Sequence, residues 1–201
     1  MNAGLDVSRE TLDRLEIYAD LLRKWNPKIN LVSKNTIDDL WSRHILDSAQ
    51  IFAHAPHPVD HWVDLGSGGG FPGLVIAIMG GELKSPLKTT LVESDARKCA
   101  FLSTVIRETG VHAKVLNHRI ESLKPLHANI LSARALGSLD LLLSFAERHL
   151  APQGTCIFPK GASYEKELAE AQSKWNFGYQ LAKSKTETGP VILKITGVSR
   201  A

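Results

Sequence analysis

Five of the chain's fifteen glycines fall within eight residues, Gly66 to Gly73, in the stretch VDLGSGGGFPG. A short β-rich run, His61–Leu65, leads into them, and an apolar stretch with Pro72 suited to its first turn follows. Strand, glycine turn and helix in that order open a nucleotide-type site. Glycine tolerates positive φ and lets the backbone come close to a ligand.

The ligand class is open at this point, because Gly68-Gly69-Gly70-Phe71-Pro72-Gly73 satisfies GxGxxG, the dinucleotide fingerprint. Glu93 lies twenty residues after Gly73, at the end of the next β-rich run. An acid there could bind the ribose hydroxyls of either NAD or S-adenosylmethionine. Two features favour the second. A pyrophosphate wants several free N–H groups at the helix start, and Pro72 removes one. Asp64, just before the glycines, would repel a pyrophosphate yet could pair with the ammonium of a methionine moiety.

The remainder of the chain repeats the strand and helix rhythm. β-rich runs at Thr89–Glu93, Ala113–Leu116, Ile130–Ser132 and Thr155–Phe158 alternate with helical stretches, which predicts βαβ units around a parallel sheet. Ala96 to Thr109 ends at Gly110, and Ser138 to Leu150 ends before Pro152 and Gly154. After a helix around Tyr164–Trp175 come two further strands, Gln180–Lys185 and Val191–Thr196, separated by Thr188-Gly189-Pro190. A hairpin makes the last strand antiparallel.

Ahead of the first strand the periodicity is helical. Leu12, Leu15, Tyr18, Leu22 and Trp25 mark an amphipathic helix from Ser8 to Trp25, ending at Asn26-Pro27, whose stripe is core packing. Thr36 is expected to cap a second helix with Ile37, Trp41, Ile45, Ala49 and Phe52 on one face. The expected organisation is a helical extension over 1–60 packed on a catalytic domain over 61–201.

Composition excludes several classes. At 201 residues, 43% hydrophobic and 22% charged, the chain fits one soluble domain with an appendage. A net charge of +3 is too small for a polyelectrolyte. Residues 1–60 carry 7 basic and 9 acidic groups, so the excess positive charge belongs to the later part. The two cysteines, Cys99 and Cys156, form no CxxC pair, so neither a disulfide framework nor a Cys-based zinc site is expected, and a reducing cytosol is the natural setting. Four of the eight histidines lie between His44 and His61, but His54, His57 and His61 sit in a Pro-containing stretch without helical ligand spacing, so no metal is expected. The opening MNAGLDVSRE lacks a signal-peptide pattern, and the longest apolar run, Leu74 to Met79, is far too short to span a bilayer.

Seven segments carry a resemblance: WNPKINLVS (25–33), RHILDS (43–48), VDLGSGGGFPG (63–73), VESDARKCAFL (92–102), RIESL (119–123), SARAL (132–136) and FPKG (158–161). In this order the chain closely resembles the bacterial RsmG (GidB) family of 16S ribosomal RNA guanine-N7 methyltransferases. The resemblance implies a Rossmann-like class I methyltransferase, an α/β fold with a seven-stranded, mostly parallel sheet whose last strand is antiparallel, and a helical N-terminal extension. It implies S-adenosylmethionine contacts from Gly66, Gly68 and Phe71 in the loop, Glu93 on ribose, Ile120 and Glu121 beside adenine, and Arg134. Two departures stand out. Asn30-Leu31-Val32 replaces the usual Asn-Leu-Thr, and GGELKSPLK (80–88) is a longer connection before the second strand.

Guanine N7 is a lone-pair nucleophile with no proton, so its methylation needs positioning and suitable electrostatics, and no general base. Arg134, just past the fourth strand, is expected to donate to guanine O6 or to wall the cofactor. Lys160, ending the fifth, is expected to meet RNA phosphate. Arg43 with Asp47, and His44 with Ser48, are i,i+4 neighbours, and in the family context Arg43 or His44 faces RNA at the mouth of the site. Basic residues from Arg97 to Lys194 could line an RNA stripe. Their small excess charge points to 16S rRNA within the small ribosomal subunit or an assembly intermediate, bound by a monomer. The rival readings are an NAD-dependent oxidoreductase and a non-enzymatic nucleotide- or RNA-binding module.

Overall fold

The computed structural model describes residues 5–201. Seven strands form one sheet: β1 (His61–Leu65), β2 (Lys88–Glu93), β3 (Ala113–Asn117), β4 (Ala128–Ala133), β5 (Leu150–Lys160), β6 (Trp175–Lys183) and β7 (Val191–Arg200). Their order is β3-β2-β1-β4-β5-β7-β6. The first five pair in parallel, and β7 runs antiparallel to both neighbours. This is the sheet expected from the sequence. The order reverses between β1 and β4, so their carboxyl ends diverge and leave the crevice where open α/β sheets bind ligands.

Among the described residues six α-helices accompany it: α1 (Arg9–Ile29), α2 (Asp47–Ala53), α3 (Gly73–Leu83), α4 (Ala96–Thr109), α5 (Leu139–His149) and α6 (Tyr164–Gln172). Local chemistry sets several boundaries. The Asp95 carboxylate accepts the Arg97 and Lys98 amides at the start of α4, and Gly110 at φ +66° ends it. Ser138 caps α5 by accepting the Leu141 amide. The strongly apolar α3 is buried on nearly every side, as a helix without a polar face must be.

Both sheet faces are covered. On one, Leu139, Leu142 and Leu143 of α5 pack with Phe158, Trp175 and Leu193. On the other, Leu15, Tyr18 and Leu22 of α1 meet Leu74 and Ile78 of α3 and Phe101 of α4, with Trp25 resting 5.7 Å from the Phe101 ring. Burying side chains of this size stabilises by roughly 1.5–3 kcal/mol each. The α1 stripe is therefore core, as its spacing predicts, and residues before 60 share that core with the sheet.

Two expectations need correction. Helix α1 does not stop at Asn26-Pro27 but carries Pro27 in its last turn and ends at Ile29. The Asn26 side-chain carbonyl accepts the Leu31 and Val32 amides, and Asn30 turns into the left-handed region. The single helix expected from Thr36 to Phe52 is instead three pieces: a 3₁₀ turn at Lys34–Thr36, a π-helical turn at Trp41–Leu46, and α2. Thr36 caps nothing there. Its hydroxyl donates to the Ser33 carbonyl and its oxygen faces His44. No helix among the described residues is long and apolar enough to cross a membrane.

Candidate functional site

The glycine loop is fixed from below and from above. Below it, a Cβ on Gly73 would come within 2.8 Å of the Asp64 side chain, so α3 can lie this close to β1 only with glycine there. The Gly73 amide donates to Asp64 Oδ2 at 3.3 Å and the Leu74 amide to the Gly70 carbonyl at 2.7 Å. Pro72 has no amide. The start of α3 thus has these donors turned inward, which removes the usual cradle for a pyrophosphate. From above, the Tyr18 hydroxyl of α1 donates to the Gly69 carbonyl at 2.5 Å.

Asp64 does not take the role suggested for it. It is fully buried, accepts from Ser132 Oγ at 2.7 Å as well as from Gly73, and does not border the cavity described next. Burial pushes its carboxyl up to about 6, against the opposing pull of the Ser132 and Ser67 hydroxyls and the Gly73 amide. It ties β1 to β4 and to α3; it has no free face for a ligand's ammonium.

Above the carboxyl ends of β1, β2 and β4 lies a cavity of about 1090 Å³. It gathers the residues expected for a cofactor: Gly66, Gly68 and Phe71 from the loop, Glu93 from β2, and Ile120 and Glu121 from the segment after β3. Gly68, at φ +54°, donates its amide to Glu93 Oε2 at 2.9 Å, while the Ser94 and Asp95 amides reach Oε1 at 2.7 and 2.8 Å. A carboxylate has about four acceptor positions, so Glu93 is held rigidly and retains capacity for a hydroxyl.

Arg134 closes the opposite wall. Its guanidinium donates to His44 Nδ1 at 2.9 Å, lies 3.4 Å from Asp47 Oδ2, and stands 5.0 Å over the Phe71 ring. Because a guanidinium can only donate, His44 Nδ1 is the acceptor and the proton sits on Nε2, facing Thr36 Oγ1 at 2.8 Å. Burial, followed by the Arg134 and Arg43 charges, lowers the imidazole to about 4. His44 is a neutral strut with its lone pair committed, and it cannot serve as a base in this arrangement.

Other expected residues fall differently. Arg43 borders the cavity but pairs with Glu187 at 3.0 Å, while its i,i+4 neighbour Asp47 serves Arg134. Lys160 is not brought into the large cavity. It is buried, with Nζ 2.6 Å from Glu167 and 3.1 Å from the Gly137 carbonyl, beside a second cavity of about 250 Å³. So placed, its ammonium is committed mainly to Glu167 and the Gly137 carbonyl. Of the basic stripe, Lys98 and Arg119 reach the cavity rim, whereas Arg97 and Arg107 are engaged by Asp95 and Glu108. Sequence reasoning missed Tyr18, Thr36 and Glu187. Tyr18 is hidden by its place in an apolar stripe, and the other two carry no motif.

Residues 11–190 match the family described as GidB, rRNA small subunit methyltransferase G. The chain belongs to this family. It is 58% identical to the ribosomal RNA small subunit methyltransferase G of Ruegeria pomeroyi, over 98% of this chain and 96% of that one. The protein of the same name from Paramagnetospirillum magneticum is 50% identical, over 96% and 92%. Solved structures share the fold at low identity. A SAM dependent methyltransferase from Aquifex aeolicus superposes with a TM-score of 0.60 at 12% identity, covering 79% of this chain and 93% of that one. TYW2 from M. jannaschii, in complex with AdoMet, gives 0.60 at 13%, covering 87% and 80%.

Proposed function

We propose that this chain transfers the methyl group of S-adenosylmethionine to N7 of a guanine in 16S ribosomal RNA. The observation that carries the cofactor assignment is the amide inventory of the glycine loop. Gly73 and Leu74 spend their N–H groups internally, Pro72 has none, and Gly68 is turned to Glu93. Such a loop suits a ligand recognised through ribose and a flat ring better than one recognised through a pyrophosphate.

When bound, S-adenosylmethionine supplies an electrophilic methyl: the N7 lone pair forms the new C–N bond as the C–S bond breaks, and the positive charge passes from sulfur to the base. The protein's own tasks are positional. Glu93 accepts from the ribose hydroxyls, and Ile120 offers an apolar surface to adenine. Arg134, clamped by His44 and Asp47, presents donors to guanine O6 beside the reacting nitrogen. Its pairing with Asp47 offsets its charge, so a base becoming cationic does not face a bare guanidinium. No side chain is required to remove a proton, which agrees with a His44 lone pair already occupied.

The target base must be extruded from structured RNA before N7 reaches a methyl held this deep, at a cost of a few kcal/mol. A net charge of +3 gives little non-specific grip, so the small subunit or a late assembly intermediate, offering shape as well as phosphate, is the natural substrate. In this reading the enzyme works in the cytosol as a monomer. Calorimetry tests the cofactor: S-adenosylmethionine or its homocysteine product binds, and NAD gives no heat. Binding of NAD in their place would overturn the assignment. Methylation of deproteinised 16S RNA as fast as of small subunits would remove the subunit requirement.

A further inference from the structure

The large cavity and the 250 Å³ one meet at Arg134, and Asp47 and Glu187 border both. The smaller cavity lies beyond the carboxyl ends of β4 and β5, between Pro159 and Pro190. It falls below the roughly 300–1,000 Å³ of sites for drug-sized ligands, a size suited to a single nucleobase.

Three carboxylates border this smaller space, and two are spent. Asp47 accepts from Gln50 at 2.8 Å and Thr186 at 3.0 Å and faces Arg134. Glu167 holds Lys160 and accepts the Leu139 amide at 2.8 Å. Glu187 is engaged by Arg43 alone among the described residues, and both side chains of that pair are substantially exposed, at 34% and 47%. A solvent-screened pair of this kind exchanges partners readily.

The loop carrying Glu187 is unusually well fastened for a surface connection. Gln50 Oε1 accepts the Lys185 amide at 2.8 Å, Thr186 Oγ1 donates to Asp47, and Ser184 Oγ accepts the Thr186 and Glu187 amides at 3.2 and 3.3 Å. These bonds tie the β6–β7 connection to the start of α2. They hold an available carboxylate at the junction of the two cavities, the kind of preorganisation that recognition demands.

We propose that the smaller cavity receives the extruded guanine and that Glu187 is its specificity-determining residue. The carboxylate accepts the N1–H and N2–H₂ donors of the Watson–Crick edge, while the adjoining Hoogsteen edge, O6 and N7, points to Arg134 and the large cavity. Adenine, with an acceptor at N1 and no 2-amino group, would set lone pair against lone pair. Arg43, displaced from Glu187, becomes free for a phosphate of the same RNA.

This rests on the guanine-N7 reading, and the test separates the two. Small subunits are reconstituted with guanine or inosine at the methylated position, inosine lacking only the 2-amino group, and wild type is compared with Glu187→Gln. Wild type should lose roughly tenfold or more in kcat/KM on inosine, the discrimination expected of a paired base edge. Glu187→Gln should lose a similar factor on guanine and little more on inosine, with S-adenosylmethionine affinity by calorimetry unchanged. A Glu187→Gln penalty equal on both bases, or no penalty, overturns the proposal. Failure of wild type to methylate the guanine subunits would instead sink the underlying reading, before any variant is compared.

Discussion

His44 shows how much one side chain can decide. Its ring joins Thr36 to Arg134 in a single tautomer, and its neutrality has a thermodynamic signature. The folded pKa of about 4 lies below the ordinary value of 6.5, so the stability that neutral His44 contributes is fully present above pH 6.5 and is lost as pH falls toward 4. The stability difference between wild type and His44→Asn, read from urea midpoints, should therefore shrink from pH 7 to pH 5. A difference that stays constant or grows would contradict a depressed imidazole. Arg134→Ala removes the donor proposed for O6 and leaves Asp47 Oδ2 and His44 Nδ1 without this partner. Methyl transfer should fall roughly 10²–10³-fold, as on loss of one preorganised donor. Stability should drop by about 1–3 kcal/mol. Turnover within a few-fold of wild type would take Arg134 out of the site. Glu93 and Arg134 stand out in the sequence because one ends a β-rich run and the other lies just past one, where ligand-facing residues of such sheets fall. Glu187 was not, because only the folded loop shows which carboxylates are already committed.

At the scale of elements, the glycine turn depends on a helix nearly fifty residues upstream. Removing the Tyr18 hydroxyl leaves the Gly69 carbonyl without that donor in a buried place. Tyr18→Phe should cost about 1–3 kcal/mol, measured by chemical denaturation, and should weaken S-adenosylmethionine binding in calorimetry. Unchanged stability together with unchanged affinity would show that α1 merely covers the loop. Strand β1 and helix α4 could be read to the residue, because a β-rich run stops at the glycine turn and Gly110 marks the end of the helix. The stretch from Thr36 to Phe52 could not. Its apolar spacing fits one helix, yet the observed path turns the His44 ring toward Arg134 and breaks the helix into 3₁₀, π and α pieces. Strand β6 begins at Trp175, five residues before its expected start, because an edge strand facing solvent carries little apolar alternation.

Over the whole molecule, the division into an N-terminal cover and a sheet domain describes the sequence better than the packing. Leu15, Tyr18 and Leu22 belong to the same buried cluster as Leu74, Leu91 and Phe101, so the N-terminal part packs into the sheet part's core, although the cluster under α5 is built from residues after 60 alone. Scanning calorimetry should record one cooperative transition; two resolved transitions would mean that the cover melts independently. The parallel βαβ alternation and the antiparallel last strand were legible because turn residues punctuate the chain between elements; the order of the strands came only from the fold. The joining of the two cavities was hidden, since it depends on a loop near residue 187 meeting a helix near residue 47. The most direct test of the central claim uses small subunits from a strain lacking the enzyme, methyl-labelled S-adenosylmethionine, and chemical cleavage at N7-methylguanine. Label at N7 of a single 16S guanine is the predicted result. Label on another atom or base, or none in the RNA, would contradict the account.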